Sequence, residues 1–161
     1  MIEISKENPD QPEIAALLEL SDAYMATLYP AESNHMLDIA SLKRPEVTFL
    51  VARVDGRARG CGAVVNSGEG WAEIKRMFVS PEARGQKLGR RLLERIETIA
   101  REGGATRLRL ETGAKQPEAL SLYHSAGFAE RGPFGPYIAD PFSVFMEKPL
   151  HYSRARPISA K

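Results

Sequence analysis

The sequence predicts one α/β domain of the α+β kind, with a mixed, mostly antiparallel central sheet of about seven strands and flanking helices. Its 161 residues are enough for one domain with a sizeable core. Short apolar segments separated by tight turns come first, as in strands that meander antiparallel. A strand, a long amphipathic helix and a second strand then follow, which is the pattern of one parallel crossover.

The first 45 residues are predicted to be mainly helical. Residues 2–5 form a weak first strand. Residues 13–27 repeat apolar side chains at helical spacing, which predicts a helix. Residues 28–44 mix turn-forming and apolar residues, and this predicts a loop followed by a short helix.

Three strands and the long helix are predicted next. The strands are expected at Val47–Val54, 60–65 and Trp71–Val79. Asp55-Gly56 is a hairpin signal because both residues tolerate positive φ. The helix ends at Gly103-Gly104, and its apolar stripe consists of Leu88, Leu92, Leu93, Ile96, Ile99 and Ala100.

The last third is predicted to complete the sheet. In the strand at 106–112, Leu108 and Leu110 face one way, and Arg107, Arg109 and Glu111 face the other. A short helix at 117–126 follows, with a proline in its first turn and a glycine after its end. Strands at 128–131 and 143–148 surround a Gly/Pro loop. Residues 151–161 are expected to be a basic tail of a single domain spanning 1–161.

Composition and charge argue against several function classes. The formal net charge of +1 is too small to create a positive electrostatic field that would attract nucleic acid. The single cysteine, Cys61, excludes an intramolecular disulfide and is compatible with a reducing compartment. No apolar run approaches the roughly 20 residues that span a bilayer, and the amino terminus lacks a signal-peptide pattern. We therefore expect a cytoplasmic protein with no membrane partner, and the absence of a His/Cys cluster predicts no metal.

A cationic turn with two glycines precedes the long helix, within the stretch RMFVSPEARGQKLGRRLLERI. The first amides of a helix lack backbone partners and lie at the positive end of its dipole, which favours a phosphate. Arg84, Lys87, Arg90 and Arg91 add charge. An equally good interpretation is that Gly89 only eases helix packing and that the arginines are solvated. Neither the nucleotide-triphosphate loop nor the dinucleotide fingerprint matches this turn.

The segment MFVSPEARGQKLGRRLL resembles the acyl-CoA-binding motif of the GCN5-related N-acetyltransferases, the GNAT family. The family pattern Q/R-x-x-G-x-G/A aligns with residues 84–89, where Lys87 replaces the usual middle glycine. The segment EALSLYHSAGF is similar to the family's A-x-x-L-Y-x-x-x-G-F helix. Gln116 stands where an asparagine is frequent. The resemblance covers about residues 47–150, and it implies the acyl-CoA N-acyltransferase fold of that family.

The resemblance implies acetyl-CoA as co-substrate, with its pyrophosphate on the turn and its pantetheine arm paired to the preceding strand. The cofactor-binding residues that it implies are Met77, Phe78, Val79, Arg84, Gly85, Gln86, Lys87, Leu88, Gly89, Arg90 and Gln116. In that strand Lys75 and Arg76 interrupt both faces. A bulge near Lys75 would splay the strand from its neighbour and expose its edge. An ordinary strand with two exposed cations is the alternative.

The reaction that the resemblance implies is direct attack of an amine on the thioester. Tyr123 is the implied proton donor to the leaving thiolate, and a core tyrosine is the alternative. Glu73 is the expected base, since some family members have a catalytic glutamate at the equivalent place. A regular strand puts Glu73 on the face of Met77 and Val79, whereas a bulge would reverse this. Glu111, acting through water, is the second candidate.

The loops at 28–42 and 132–142 are expected to select the acceptor. The candidate substrate-binding residues are Tyr29, Glu32, His35, Glu111 and Tyr137. Together they would suit a small polar amine such as an amino-acid derivative. Two alternatives are acetylation of a protein N-terminus or lysine, and a regulatory module that binds acyl-CoA without turnover. A homodimer is compatible with the sequence.

Overall fold

The computed structural model describes residues 1–33 and 36–151, and within these ranges seven strands form one open sheet. The strands are β1 (Ile2–Lys6), β2 (Val47–Val54), β3 (Arg57–Asn66), β4 (Trp71–Val79), β5 (Arg107–Gly113), β6 (Ala129–Arg131) and β7 (Ser143–Pro149). Their order across the sheet is β1-β2-β3-β4-β5-β7-β6, where only the β4–β5 pair is parallel among the described strands. The predicted mixed, mostly antiparallel sheet is confirmed.

Helices cover both faces of the sheet, and each face has its own apolar core. The helices are α1 (Pro12–Leu28), α2 (Ile39–Leu42), α3 (Leu88–Glu102) and α4 (Pro117–Ser125), with 3₁₀ turns at Ala31–Ser33 and Pro81–Ala83. One core joins the sheet to α3 through side chains such as Leu92 and Ile96, and we call this side the α3 face. The other core joins the sheet to α1 and α2 through side chains such as Leu17 and Leu42, and we call this side the α1 face. In the part of the chain described, no helix has both the length and the apolar composition to cross a membrane.

The hairpin between β2 and β3 has the predicted two-residue turn. Val54 pairs with Arg57, and the two residues between them have positive φ, 51° at Asp55 and 85° at Gly56. Two successive positive φ angles match the twist of the flanking strands. The local sequence therefore fixes this register.

A β-bulge interrupts β4 at the point predicted from its two cations. Cys61 pairs with Phe78 and Ala63 pairs with Lys75, so Gly62 lies opposite two residues, Arg76 and Met77. Arg76 has a φ of 57°, which is uncommon for a residue with a side chain. The ladder between β4 and β5 ends at Ile74 and Leu110, so β4 does not pair with β5 from Lys75 onward. The two parallel strands thus separate in the middle of the sheet.

The bulge also reverses which side chains of β4 share a face. Met77 and Val79 pack on the α3 face. Lys75 lies opposite Ala63 of the α1-face core, and Glu73, two residues earlier, shares its face. Glu73 therefore does not lie on the face of Met77 and Val79, as a regular strand would have required.

Candidate active site

Two cavities meet where β4 and β5 separate. The first, of about 410 Å³, we call the turn cleft; its lining is Tyr24, Met77, Phe78, Val79, Ala83, Arg84, Gly85, Lys87, Leu88, Gly89, Arg90, Gln116, Glu118, Ala119, Leu122 and Tyr123. The second, of about 90 Å³, we call the strand cavity; its lining is Ser21, Met25, Tyr29, Ser33, Met36, Ile74, Lys75, Arg76, Met77, Leu110, Glu111, Thr112, Gly113, Gln116, Ala119, Tyr123 and Phe142. Four residues border both spaces, namely Met77, Gln116, Ala119 and Tyr123.

The turn before α3 presents backbone amides to the turn cleft. The first hydrogen bond of the helix runs from the Arg91 N–H to the Lys87 carbonyl, so the amides of residues 88–90 precede the helical ladder. Gly85 has a φ of 88° and Lys87 a φ of 60°. Lys87 therefore holds the left-handed conformation for which glycine is favoured. The turn keeps its shape with lysine, and a cation borders the cleft in place of bare backbone.

The implied cofactor residues lie together, with one exception. All of them border the turn cleft except Gln86, which is exposed. Gly89 has a second role, because a Cβ there would stand 3.1 Å from Cδ2 of Leu122 on α4. Gly89 therefore borders the cleft and also lets α3 and α4 approach closely, as the packing interpretation expected.

Sequence reasoning missed the far wall of the turn cleft. The Tyr24 hydroxyl on α1 donates a 3.2 Å hydrogen bond to Oε1 of Glu118 on α4. The two residues are 94 positions apart in the chain. Each looks like ordinary helix surface in the sequence, so no local signal could have paired them.

Tyr123 stands at the junction of the two cavities. Its side chain comes from α4, its ring packs edge-on against Phe128 at 5.6 Å, and only 5% of the residue is exposed. Burial raises the pKa of its hydroxyl above the ordinary tyrosine value. The hydroxyl is protonated at neutral pH, as that of an ordinary tyrosine is, and burial makes it a weaker acid in the structure described.

Gln116 and Tyr29 form a buried polar contact beside that junction. The Tyr29 hydroxyl donates to Oε1 of Gln116 at 3.3 Å and accepts from the Lys115 N–H at 3.0 Å. Gly113 lies directly against this hydroxyl, and a Cβ at that position would overlap the tyrosine ring. Gly113 was not among the predicted site residues, although a glycine at the end of a strand is a signal for such a close approach.

Glu73 is held in a buried hydrogen-bonded group. The Lys75 ammonium donates to the Tyr137 hydroxyl at 2.6 Å, and that hydroxyl donates to Oε2 of Glu73 at 2.5 Å. The side chains of Lys75 and Glu73 are 10% and 13% exposed, and their charged atoms are 3.6 Å apart. Burial raises the pKa of Glu73, and the Lys75 charge opposes this. Of the three, only Lys75 borders the strand cavity.

Glu111 is the carboxylate that borders the strand cavity. It lies on β5, and its Oε2 accepts a 2.8 Å hydrogen bond from the Ser143 hydroxyl. Among the other predicted acceptor residues, Tyr29 borders the same cavity, while Glu32 is exposed and borders neither space. His35 lies outside the described residues.

The loop at 132–142 is fixed to the sheet by aromatic contacts. The Phe134 ring packs edge-on against Trp71 at 5.5 Å and Phe145 at 5.8 Å. The loop is also tied to the 3₁₀ turn after α1, because the Ser33 hydroxyl donates to Oδ2 of Asp140 at 2.8 Å. It thereby carries Phe142 to the wall of the strand cavity.

Thiolate and metal chemistry find little support in the described residues. Cys61 is fully buried, and burial raises the pKa of its thiol to about 12, so it is not an ionised nucleophile at neutral pH. Across residues 1–33 and 36–151, no group of three or more His, Cys, Asp or Glu side chains is arranged to hold a metal ion. The ionisable side chains that border the cavities are thus tyrosines, carboxylates and basic groups.

Comparison with known proteins identifies the family. Residues 14–128 match the model of the acetyltransferase (GNAT) family. The IAA acetyltransferase of Azospirillum brasilense is 53% identical over 150 residues, which are 92% of this chain and 98% of that protein. The crystal structure of a Klebsiella pneumoniae protein described as a candidate acyl-CoA N-acyltransferase has a TM-score of 0.83 at 42% identity, covering 94% of this chain and 99% of that one.

A more distant structure shares the fold. PaiA N-acetyltransferase of Thermoplasma acidophilum, in complex with coenzyme A, has a TM-score of 0.72 at 23% identity and covers 92% of this chain and 99% of its own. The family model spans more than half of the chain, and the Azospirillum brasilense relative is similar along nearly all of it. The chain belongs to the GNAT family of acetyltransferases.

Proposed function

We propose that this protein transfers the acetyl group of acetyl-CoA to a primary amine of a small molecule, by direct attack of the amine on the thioester. The observation that carries the proposal is the position of Tyr123. This buried, protonated hydroxyl borders both the cleft suited to the thioester substrate and the cavity suited to the amine. It is the natural donor to a thiolate that leaves between them.

The turn cleft has the chemistry for coenzyme A. Arg84, Lys87 and Arg90 and the first amides of α3 would hold the phosphates. The part of β4 beyond Ile74 has no β5 partner, so its backbone groups on the β5 side are available to an extended pantetheine arm. The coenzyme A in the Thermoplasma acidophilum structure is consistent with this use of the fold.

The size of the strand cavity favours a small acceptor. Its volume is about 90 Å³, and its walls include Tyr29, Phe142 and Met25. A protein substrate would need an open groove between the two loops, whereas the bond from Ser33 to Asp140 ties them together. We therefore prefer a small amine to a protein N-terminus or lysine.

The amine must lose a proton before it attacks, since an alkyl amine has a pKa of about 10 in water. Glu73 is the proposed base. The raised pKa of its carboxyl moves it toward neutrality, where a general base works best. Because Glu73 does not border the strand cavity, the proton would reach it through water or through the Lys75 and Tyr137 contacts. Glu111, which borders the cavity, is the second candidate.

Bond changes in the proposed reaction balance without a further reactant. The amine nitrogen forms a bond to the acetyl carbon, the carbon–sulfur bond breaks, and the thiolate takes the Tyr123 proton. The ammonium gives up two protons in all: one passes through the base to solvent, and the other returns through solvent to the Tyr123 oxygen. The products are the acetylated amine and the free thiol of coenzyme A.

The proposal is tested by measuring thiol release from acetyl-CoA across a library of small amines and short peptides. We expect turnover with some small amines and little with peptides. Calorimetric binding of acetyl-CoA without turnover of any amine would instead favour a module that only binds acyl-CoA.

A further inference from the structure

Arg76 combines three unusual features at the wall of the strand cavity. Its φ of 57° places a long side chain in the left-handed region. The side chain is only 3% exposed. Its Nε is the single buried side-chain nitrogen or oxygen without a hydrogen-bond partner within residues 1–33 and 36–151. Backbone strain and an unpaired buried donor both cost stability, and both concentrate at functional sites.

The other guanidinium nitrogens of Arg76 are occupied on the side toward α1. Nη1 contacts Oδ1 of Asp22 at 2.6 Å and the Met36 sulfur at 2.8 Å, and Nη2 donates to the Leu18 carbonyl at 3.3 Å. Asp22 does not border the strand cavity and is 52% exposed, so solvent weakens its charge. These contacts fix the guanidinium, and its Nε–H has no acceptor within residues 1–33 and 36–151.

Lys75 brings a second cation to the same wall. Lys75 borders the strand cavity, whereas its counter-ion, Glu73, does not. Glu111 is the only carboxylate among the described lining residues. The cavity thus offers two cations from β4 and one anion from β5. This arrangement complements a molecule with a negative and a positive group close together.

We propose that the acceptor is an amine that also carries a carboxylate, with the carboxylate bound by Arg76 and Lys75 and the amine beside Glu111. This inference rests on the proposed function and names the substrate class of the same site. Arginine suits the role because its guanidinium is always charged and donates strong hydrogen bonds to a carboxylate. Tyr123 borders the same cavity, so the amine of such a molecule lies near the thiolate's proton donor.

The first experiment compares paired acceptors. Thiol release from acetyl-CoA is measured with a series of α-amino and ω-amino acids and with the carboxamide of each. We expect kcat/KM to favour the acids by about 10- to 100-fold, the usual worth of a hydrogen bond to a charged group. Equal or better turnover of the carboxamides overturns the proposal, while any turnover supports the general function.

The second experiment removes the two cations separately. Arg76→Lys keeps the charge but loses the planar guanidinium, and Lys75→Met removes a charge with similar volume. Each should lower kcat/KM for the acids at least about 10-fold more than for the carboxamides. Lys43→Met is the matched control, because Lys43 lies outside both cavities and should leave the preference intact. Equal losses on acids and carboxamides mean that the cations are structural only, and this outcome overturns the proposal.

A binding measurement keeps the test independent of turnover. With saturating coenzyme A present, butyrate and butyramide are titrated into the parent and into Lys75→Met, and binding is followed by NMR. We expect butyrate to bind the parent more tightly, and this preference to disappear in the variant. If no amine turns over but butyrate binds in this way, the carboxylate site stands and the proposed reaction fails. No preference for butyrate in the parent overturns the carboxylate site.

Discussion

The Tyr137 hydroxyl donates a 2.5 Å hydrogen bond to Oε2 of Glu73, and the same hydroxyl accepts from Lys75 at 2.6 Å. The carboxylate is thus held at a fixed distance behind the wall of the strand cavity. Burial raises its pKa, whereas Lys75 and the tyrosine hydrogen bond lower it. The net direction is upward, so this carboxyl binds a proton more readily than an exposed glutamate.

The pH profile of Glu73→Gln should show whether this carboxyl is the base. The parent's kcat/KM should fall as pH drops through the raised pKa of Glu73, because a protonated carboxyl cannot accept the amine's proton. The amide should leave acetyl-CoA affinity unchanged, lower the rate and remove that acid limb. Higher pH should partly rescue the variant, since more of the amine is then deprotonated. Glu111→Gln is the comparison: a normal profile for Glu73→Gln with a collapsed one for Glu111→Gln would move the base to β5.

Tyr123→Phe should separate acid catalysis from packing. The ring contact with Phe128 is kept, while the donor at the junction is lost. We expect kcat to fall on the order of 10²-fold with little change in acetyl-CoA affinity. Tyr24→Phe is the matched control, because its hydroxyl borders the turn cleft and bonds to Glu118 instead. Parent-like turnover by Tyr123→Phe would make this tyrosine a core residue only.

Lys87→Gly should raise stability and weaken acetyl-CoA binding together. Glycine relieves the left-handed conformation at φ 60°, a gain of up to about 1 kcal/mol in the free energy of unfolding. The lost cation should raise the Kd for acetyl-CoA several-fold, as measured by calorimetry. Asp55→Gly relieves a similar φ of 51° in the β2–β3 turn, away from the cleft. It should leave the Kd unchanged, and an unchanged Kd in Lys87→Gly would remove Lys87 from the phosphate site.

Gly113→Ala should disturb the acceptor side through Tyr29. The new methyl group would overlap the Tyr29 hydroxyl and approach Oε1 of Gln116 at 2.7 Å. We expect at least a 10-fold rise in the KM for the amine, and a smaller change in acetyl-CoA affinity. In a Tyr29→Ala background the same substitution should cost much less, because the clashing ring is gone. An equal rise in the KM for the amine in both backgrounds would mean that the methyl group does not act through Tyr29.

Local sequence signals predicted the helices and strands well, and they placed most of the implied cofactor residues around one cleft. The Asp55-Gly56 turn and the apolar stripe of α3 depend on neighbours in the chain, and both are confirmed. The interruption at Lys75 and Arg76 predicted the bulge, because two adjacent cations break the alternation of a strand. Gln86 is the implied cofactor residue that does not border the turn cleft.

The acceptor side depends on contacts between distant segments, and the sequence was less informative there. The side of the sheet on which Glu73 lies depends on the position of the bulge, because one extra residue in the strand moves the following side chains to the other side. Gly113 matters only because Tyr29, from another part of the chain, fills the space beside it. Arg76 resembles a surface cation in the sequence, and only the fold reveals that its side chain is buried.

The anchoring of Phe134 bears on how this protein could acquire new specificities. Phe134 and Phe145 are buried on either side of the segment 135–142, in which every residue is exposed or only partly buried. Natural variation or laboratory evolution can therefore exchange that segment without deleting a core side chain. Under the proposed function, acceptor choice could then change while the acyl-transfer part of the fold is kept. Libraries confined to 135–142 that keep Tyr137, because it holds Glu73, are a rational starting point.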